Sequence, residues 1–142
     1  MPINGKYTPR EVKALFNVKG GGCLTFSKDY GKMLFNALSK IPSSIADWAI
    51  AKLVFLSSLG GYNAYTINML ELVDRGKVGI VVLCEMLKCQ PPEMQVLTIA
   101  HEIAHARLKH STAFPDLHSI KQCEPRDEND ADELANAWLG IK

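Results

Sequence analysis

One segment of the sequence combines residue types and spacing that are suited to metal chemistry, His101-Glu102-Ile103-Ala104-His105. Residues four apart lie on the same side of a helix, so both imidazoles can reach one ion. Glu102 is rotated from His101 by about a quarter turn, and from there its carboxylate can face a water next to that ion. The pattern predicts a metal site with His101 and His105 as ligands and Glu102 as catalytic base.

A hydrolytic zinc site takes a third protein ligand, and the C-terminal segment offers an acidic one. Apolar residues at helical spacing predict the buried face of a helix there, namely Ala131, Leu134, Ala135 and Trp138. Glu128 lies three residues before Ala131 and extends this face. Because an inward carboxylate is unfavourable without a cation, we predict Glu128 as the third ligand and keep Asp130 as the reserve candidate.

Other polar residues near these ligands have more than one interpretation. Asp132 lies four residues after Glu128 on the same side of the helix, where it can accept a hydrogen bond from a ligating imidazole. Alternatively, the acidic run only stabilises the helix N-terminus, with Asp127 as cap. His110 is rotated by about 140° from His105 on a continuing helix, so we expect it at the surface.

The helices that would position these residues follow from the hydrophobic pattern. Thr8-Pro9-Arg10-Glu11 predicts a helix start, with Thr8 as N-cap and Pro9 in the first helical position. Apolar residues at helical spacing predict a second helix over residues 44–59. The metal-binding pattern lies on a helix that begins at Pro91-Pro92-Glu93, and this helix should be buried on nearly all sides.

The segment between these helices predicts strands. Residues 64–67 and 78–83 are rich in β-branched and aromatic side chains, and residues 74–77 have the composition of a turn. We therefore expect two antiparallel strands or a hairpin at a sheet edge. An extended substrate would add to the edge strand near residues 78–83 through backbone pairing.

Length and charge restrict the classes of protein to consider. The chain has 142 residues, with 16 basic and 15 acidic side chains. This length predicts one domain over residues 1–142, with about residues 1–22 as an N-terminal appendage. The balanced charge gives no reason to expect nucleic acid as a partner. Neither a leader peptide nor a membrane span is indicated, so we expect a soluble, cytoplasmic protein.

The cysteines do not form a local metal or redox motif. Their spacing contains no CxxC pair, the four being Cys23, Cys84, Cys89 and Cys123. A zinc ribbon of the kind found in the DNA-associated SprT proteases is therefore not expected. We expect reduced thiols. If Cys123 occupied the fourth position on the metal, the site would be latent until the thiol left.

The two segments together resemble the gluzincin metallopeptidases, whose pattern is HExxH followed by a helix with Glu-x-x-x-Asp. The second segment is Glu128-Asn129-Asp130-Ala131-Asp132, and the similarity covers residues 78–139. The short gap is similar to that of minimal gluzincins and ImmA/IrrE-type peptidases. This resemblance implies an α+β zincin-like domain, with a short, mostly antiparallel sheet packed on a buried HExxH helix and a C-terminal helix that carries the third ligand.

The resemblance also implies an activity. It predicts a zinc-dependent endopeptidase that acts on a peptide or protein substrate, with a metal-activated water and Glu102 as general base. The alternative is a zinc-stabilised regulatory or binding module without catalysis. Structural zinc sites normally have four protein ligands and favour cysteine, and no cysteine lies near His101 in the sequence. The oligomeric state does not follow from the sequence.

Overall fold

The computed structural model describes residues 5–18, 22–24, 28–58, 64–68, 78–108 and 125–141. The helices in these segments are α1 (Pro9–Val18), α2 (Lys28–Lys40), α3 (Ser43–Lys52), α4 (Pro92–Arg107) and α5 (Pro125–Leu139), with a 3-10 helix at Glu85–Cys89. The strands are β1 (Gly22–Leu24), β2 (Leu53–Ser58), β3 (Ala64–Asn68) and β4 (Gly79–Cys84). None of the described helices is both long enough and apolar enough to span a membrane.

The described strands form a mixed sheet in the order β1-β2-β4-β3. Strands β3 and β4 pair antiparallel, as predicted, whereas β1 with β2 and β2 with β4 pair parallel. The α+β class is confirmed, but the expectation of a mostly antiparallel sheet is wrong for two of the three strand pairs. The expectation that the strand near residues 78–83 forms the edge is also wrong, because β4 lies between β2 and β3.

The prediction of one helix over residues 44–59 is wrong in its second half. Helix α3 ends at Lys52, and Leu53 already has the extended backbone angles of β2. Strand β2 lies inside the sheet between β1 and β4. The run Leu53-Val54-Phe55-Leu56 is wholly apolar although only Leu53 and Phe55 are fully buried, and periodicity alone does not distinguish such a short apolar run from a buried helix.

The N-terminal helices pack into the same core as the sheet. Val12 and Phe16 of α1 are buried in it. The predicted helix start is confirmed, because the Glu11 amide donates to Thr8 Oγ1 at 3.2 Å and the Thr8 amide donates to Glu11 Oε1 at 2.9 Å. Such a capping box satisfies two helix N-terminal donors.

Helix α2 was not expected from the sequence, yet it supplies much of the core. Its buried residues follow helical spacing and are Tyr30, Met33, Leu34, Ala37, Leu38 and Ser39. This face contacts α4. Helix α2 therefore packs against the helix that carries His101 and His105.

Helix α4 lies at the centre of the fold, in contact with α2, β3, β4 and α5. It begins with Pro92 in the first turn, as predicted. The side chain of Gln95 donates to the carbonyl oxygens of Leu87 and Gln90 at 3.3 and 3.1 Å, which ties this start to the preceding 3-10 helix. Almost every residue from Ile99 to Ala106 is buried, so the prediction of burial on nearly all sides is confirmed for this half.

Candidate metal centre

The buried half of helix α4 carries three polar side chains among otherwise apolar residues. Each of His101, Glu102 and His105 offers one ligand atom, and these atoms lie within 4.8 Å of one another. His105 is fully buried and Glu102 is 6% exposed. The two imidazole rings meet edge to face, with their centroids 4.5 Å apart. Burial of such a cluster is unfavourable unless the polar atoms are satisfied.

Glu128 of α5 meets both rings. Its Oε2 lies 2.9 Å from His101 Nε2, and its Oε1 lies 3.3 Å from His105 Nε2. The two Nε2 atoms are themselves 2.9 Å apart. The side chain of Glu128 is 48% exposed, so the carboxylate closes the cluster on its solvent side. Two imidazoles and the Glu128 carboxylate therefore meet at one place in the fold.

The two imidazole nitrogens and the two carboxylate oxygens of Glu128 have separations close to those of a zinc ligand set. In a tetrahedral site with bonds of about 2.0–2.1 Å, neighbouring donor atoms are about 3.3 Å apart. The observed separations of 2.9, 2.9 and 3.3 Å require only a small outward movement. Two imidazoles and a carboxylate are also ligands that zinc accepts in hydrolytic sites.

Asp132 adds a further contact on the outer side of His101. Its Oδ1 lies 2.8 Å from His101 Nδ1, so the Nδ1 proton is directed to this carboxylate. In neutral His101 the Nε2 lone pair then faces Glu128 and His105. The contact between the two Nε2 atoms is satisfied either by a hydrogen on His105 Nε2, whose tautomer sets which ring donates, or by a metal ion that takes the lone pairs of both rings.

Glu102 faces the sheet rather than α5. The hydroxyl of Thr66 in β3 lies 2.7 Å from Glu102 Oε2 and 2.9 Å from the Glu102 carbonyl oxygen. Thr66 is fully buried. The two acidic side chains thus have different surroundings, since Glu102 is buried against β3 whereas the Glu128 side chain is 48% exposed.

The structure brings together all five residues that the sequence predicted for the site, His101, Glu102, His105, Glu128 and Asp132. The reserve candidate Asp130 is exposed on α5. His110 and Cys123 lie outside the described residues. The sequence did not indicate Thr66, because a threonine in a strand carries no spacing signal that links it to a helix 36 residues later.

Comparisons with known proteins add no assignment. No protein-family model, curated protein or solved structure matches the chain. What is known of the site therefore rests on its own residues, which form a histidine and glutamate group able to hold a metal ion.

Proposed function

We propose that the protein is a zinc-dependent endopeptidase whose metal is held by His101, His105 and Glu128. The observation that carries this proposal is the convergence of two imidazole nitrogens and one carboxylate group, with contacts of 2.9–3.3 Å between them. Three protein ligands would leave the fourth position of a tetrahedral zinc site open. The buried carboxylate of Glu102 lies on α4, the helix that also carries His101 and His105. Three protein ligands and an open fourth position distinguish hydrolytic from structural zinc sites.

The residues divide the reaction between them. A zinc ion held by this ligand set would lower the pKa of a water in the fourth position and polarise the substrate carbonyl. Glu102 takes the proton from the attacking water and passes it to the departing amine. Asp132 keeps His101 in the tautomer whose Nε2 is a ligand. The side chain of His105 is fully buried, whereas that of Glu128 is 48% exposed. Solvent therefore reaches the site next to Glu128.

An extended polypeptide is the substrate class that the sheet favours. Strand β3 ends the sheet among the described strands, and its central residue Thr66 contacts Glu102. A peptide that pairs with the outer edge of β3 would lie next to the catalytic carboxylate, and backbone pairing tolerates many sequences. This assigns to β3 the role that the sequence had suggested for the strand near residues 78–83.

The test is a comparison of wild type with Glu102→Gln. Zinc content is measured on purified protein, and hydrolysis is measured with a mixture of unstructured peptides and mass spectrometry. We expect one zinc per chain in both proteins, with hydrolysis lowered at least 100-fold in Glu102→Gln because the general base is lost. Glu93→Gln, the same change at an exposed position of α4, is the matched control and should keep activity.

Two results would contradict the proposal in different ways. Equal hydrolysis by wild type and Glu102→Gln would remove Glu102 from the reaction. One tightly bound zinc with no hydrolysis by wild type would favour the alternative, a zinc-stabilised regulatory or binding module.

A further inference from the structure

Thr66 is a polar residue that pairs directly with a core residue of the neighbouring strand. It lies in the middle of β3 and is fully buried, and Val81 opposite it on β4 is also fully buried. Directly paired residues of neighbouring strands share one face of the sheet, and Val81 belongs to the hydrophobic core. A valine would fill the same space as Thr66, so its hydroxyl has a role other than packing.

That hydroxyl is directed at the side chain of Glu102. The distance of 2.7 Å to Oε2 is shorter than the 2.9 Å to the carbonyl oxygen of the same residue. Hydrogen bonds to a carboxylate are shorter and stronger than those to a neutral carbonyl. Because a hydroxyl has one hydrogen, the carboxylate accepts the larger share of it, and the second contact places the Thr66 hydroxyl next to the backbone of α4.

The register of the sheet makes this contact specific to one position. Side chains alternate between the two faces of a strand, so Tyr65 and Ile67 point away from the face that Thr66 shares with Val81. Helix α4 contacts both β3 and β4. Thr66 is therefore the residue of β3 whose side chain meets the helix at Glu102.

We propose that Thr66 is a positioning residue for Glu102, an inference that rests on the proposed peptidase function. Its hydroxyl holds the carboxylate in the one orientation from which a water can be deprotonated. A glutamate side chain has several rotatable bonds, and a general base contributes only when it is correctly placed. Thr66 is fully buried and so acts through Glu102 rather than by contact with substrate.

Two matched substitutions separate the hydroxyl from the methyl group. Thr66→Val keeps the shape and removes the hydroxyl, whereas Thr66→Ser keeps the hydroxyl and removes the methyl group. With the zinc-loaded proteins and one unstructured peptide substrate, we expect Thr66→Val to lower kcat by about 10- to 100-fold. KM and zinc content should stay within about twofold of wild type. Thr66→Ser should retain most of the wild-type kcat.

A second measurement needs neither zinc nor activity. The melting temperature of the metal-free protein is compared for wild type, Thr66→Val, Glu102→Ala and the double variant. A direct hydrogen bond predicts that Thr66→Val lowers the melting temperature by several degrees in wild type and by clearly less in the Glu102→Ala background, because interacting residues are not additive.

The possible outcomes test the positioning role of Thr66 and the peptidase function independently. An unchanged kcat in Thr66→Val, or an equal loss in Thr66→Ser and Thr66→Val, would overturn the positioning role. So would equal melting shifts in both backgrounds. Absence of hydrolysis by wild type would overturn the peptidase function instead, and non-additive melting shifts would then still support the hold of Thr66 on Glu102.

Discussion

Replacement of Asp132 by alanine should weaken zinc binding without removing a ligand. Its carboxylate lies 2.8 Å from His101 Nδ1, and this contact directs the Nδ1 proton outward so that Nε2 is available to a metal. In Asp132→Ala the ring can rotate and both tautomers become accessible. In the variant, part of the binding free energy is used to restrict the His101 ring to the tautomer and orientation that bind the metal. The measured affinity is lower by this amount.

The size of the effect follows from how exposed the contact is. Loss of a hydrogen-bond partner of a ligating histidine lowers metal affinity by about 10- to 100-fold in general. The Asp132 side chain is 61% exposed, so water can replace it in part, and we expect the lower end, about tenfold or about 1.4 kcal/mol. Asp132→Asn should show a smaller loss, because its amide oxygen still accepts the hydrogen bond while the charge is gone.

Affinity is measured by competition with a chromogenic zinc chelator at constant pH and ionic strength. Asp130→Ala is the control, since Asp130 is an exposed acidic residue in the same first turns of α5 and has the same effect on net charge. The reasoning is refuted if Asp132→Ala binds zinc as tightly as wild type. It is equally refuted if Asp130→Ala loses as much affinity, because the effect would then be one of charge alone.

Two further predictions concern the fold. Tyr7 donates to Asp47 Oδ1 at 2.8 Å, and this hydrogen bond together with burial raises the pKa of Tyr7 to about 12. The stabilisation, about 1 kcal/mol, is fully present below the unfolded pKa of about 10 and is lost as pH rises through the folded value. The difference between wild type and Tyr7→Phe in urea unfolding should therefore be constant near pH 8 and shrink above pH 10; a difference independent of pH would contradict it. Phe16 of α1 is buried beside Phe35 and Phe55, with ring centroids 5.5 and 6.0 Å away. Phe16→Ala should cost about 3 kcal/mol of unfolding free energy, whereas a loss under about 1 kcal/mol would mean that α1 does not contribute to the common core.

The parts of the site that the sequence predicted are those set by helical geometry. The spacing of His101 and His105 places both on one face of α4 whatever surrounds it. Glu128 was predicted from a second local pattern, because it extends the buried face that contains Ala131. Helical spacing was enough to place these side chains on their own helices, whereas the contact between α4 and α5 and the 48% exposure of the Glu128 side chain needed the tertiary structure.

The parts that the sequence did not predict depend on neighbours distant in the chain. The sequence of residues 53–58 is compatible with a helix and with a strand. It forms β2 because it pairs with β1 on one side and with β4 on the other. Thr66 meets Glu102 only because β3 occupies the edge next to β4, which no local pattern encodes.

Zinc-edge X-ray absorption of the wild-type protein, loaded with one equivalent of zinc, tests the central claim most directly. Coordination by His101, His105 and Glu128 predicts a first shell of only nitrogen and oxygen at about 2.0–2.2 Å, with the outer-shell scattering of two imidazoles. A sulfur at about 2.3 Å would place a cysteine on the metal. A shell without imidazole scattering would show that the ion lies elsewhere and would contradict the account of the site.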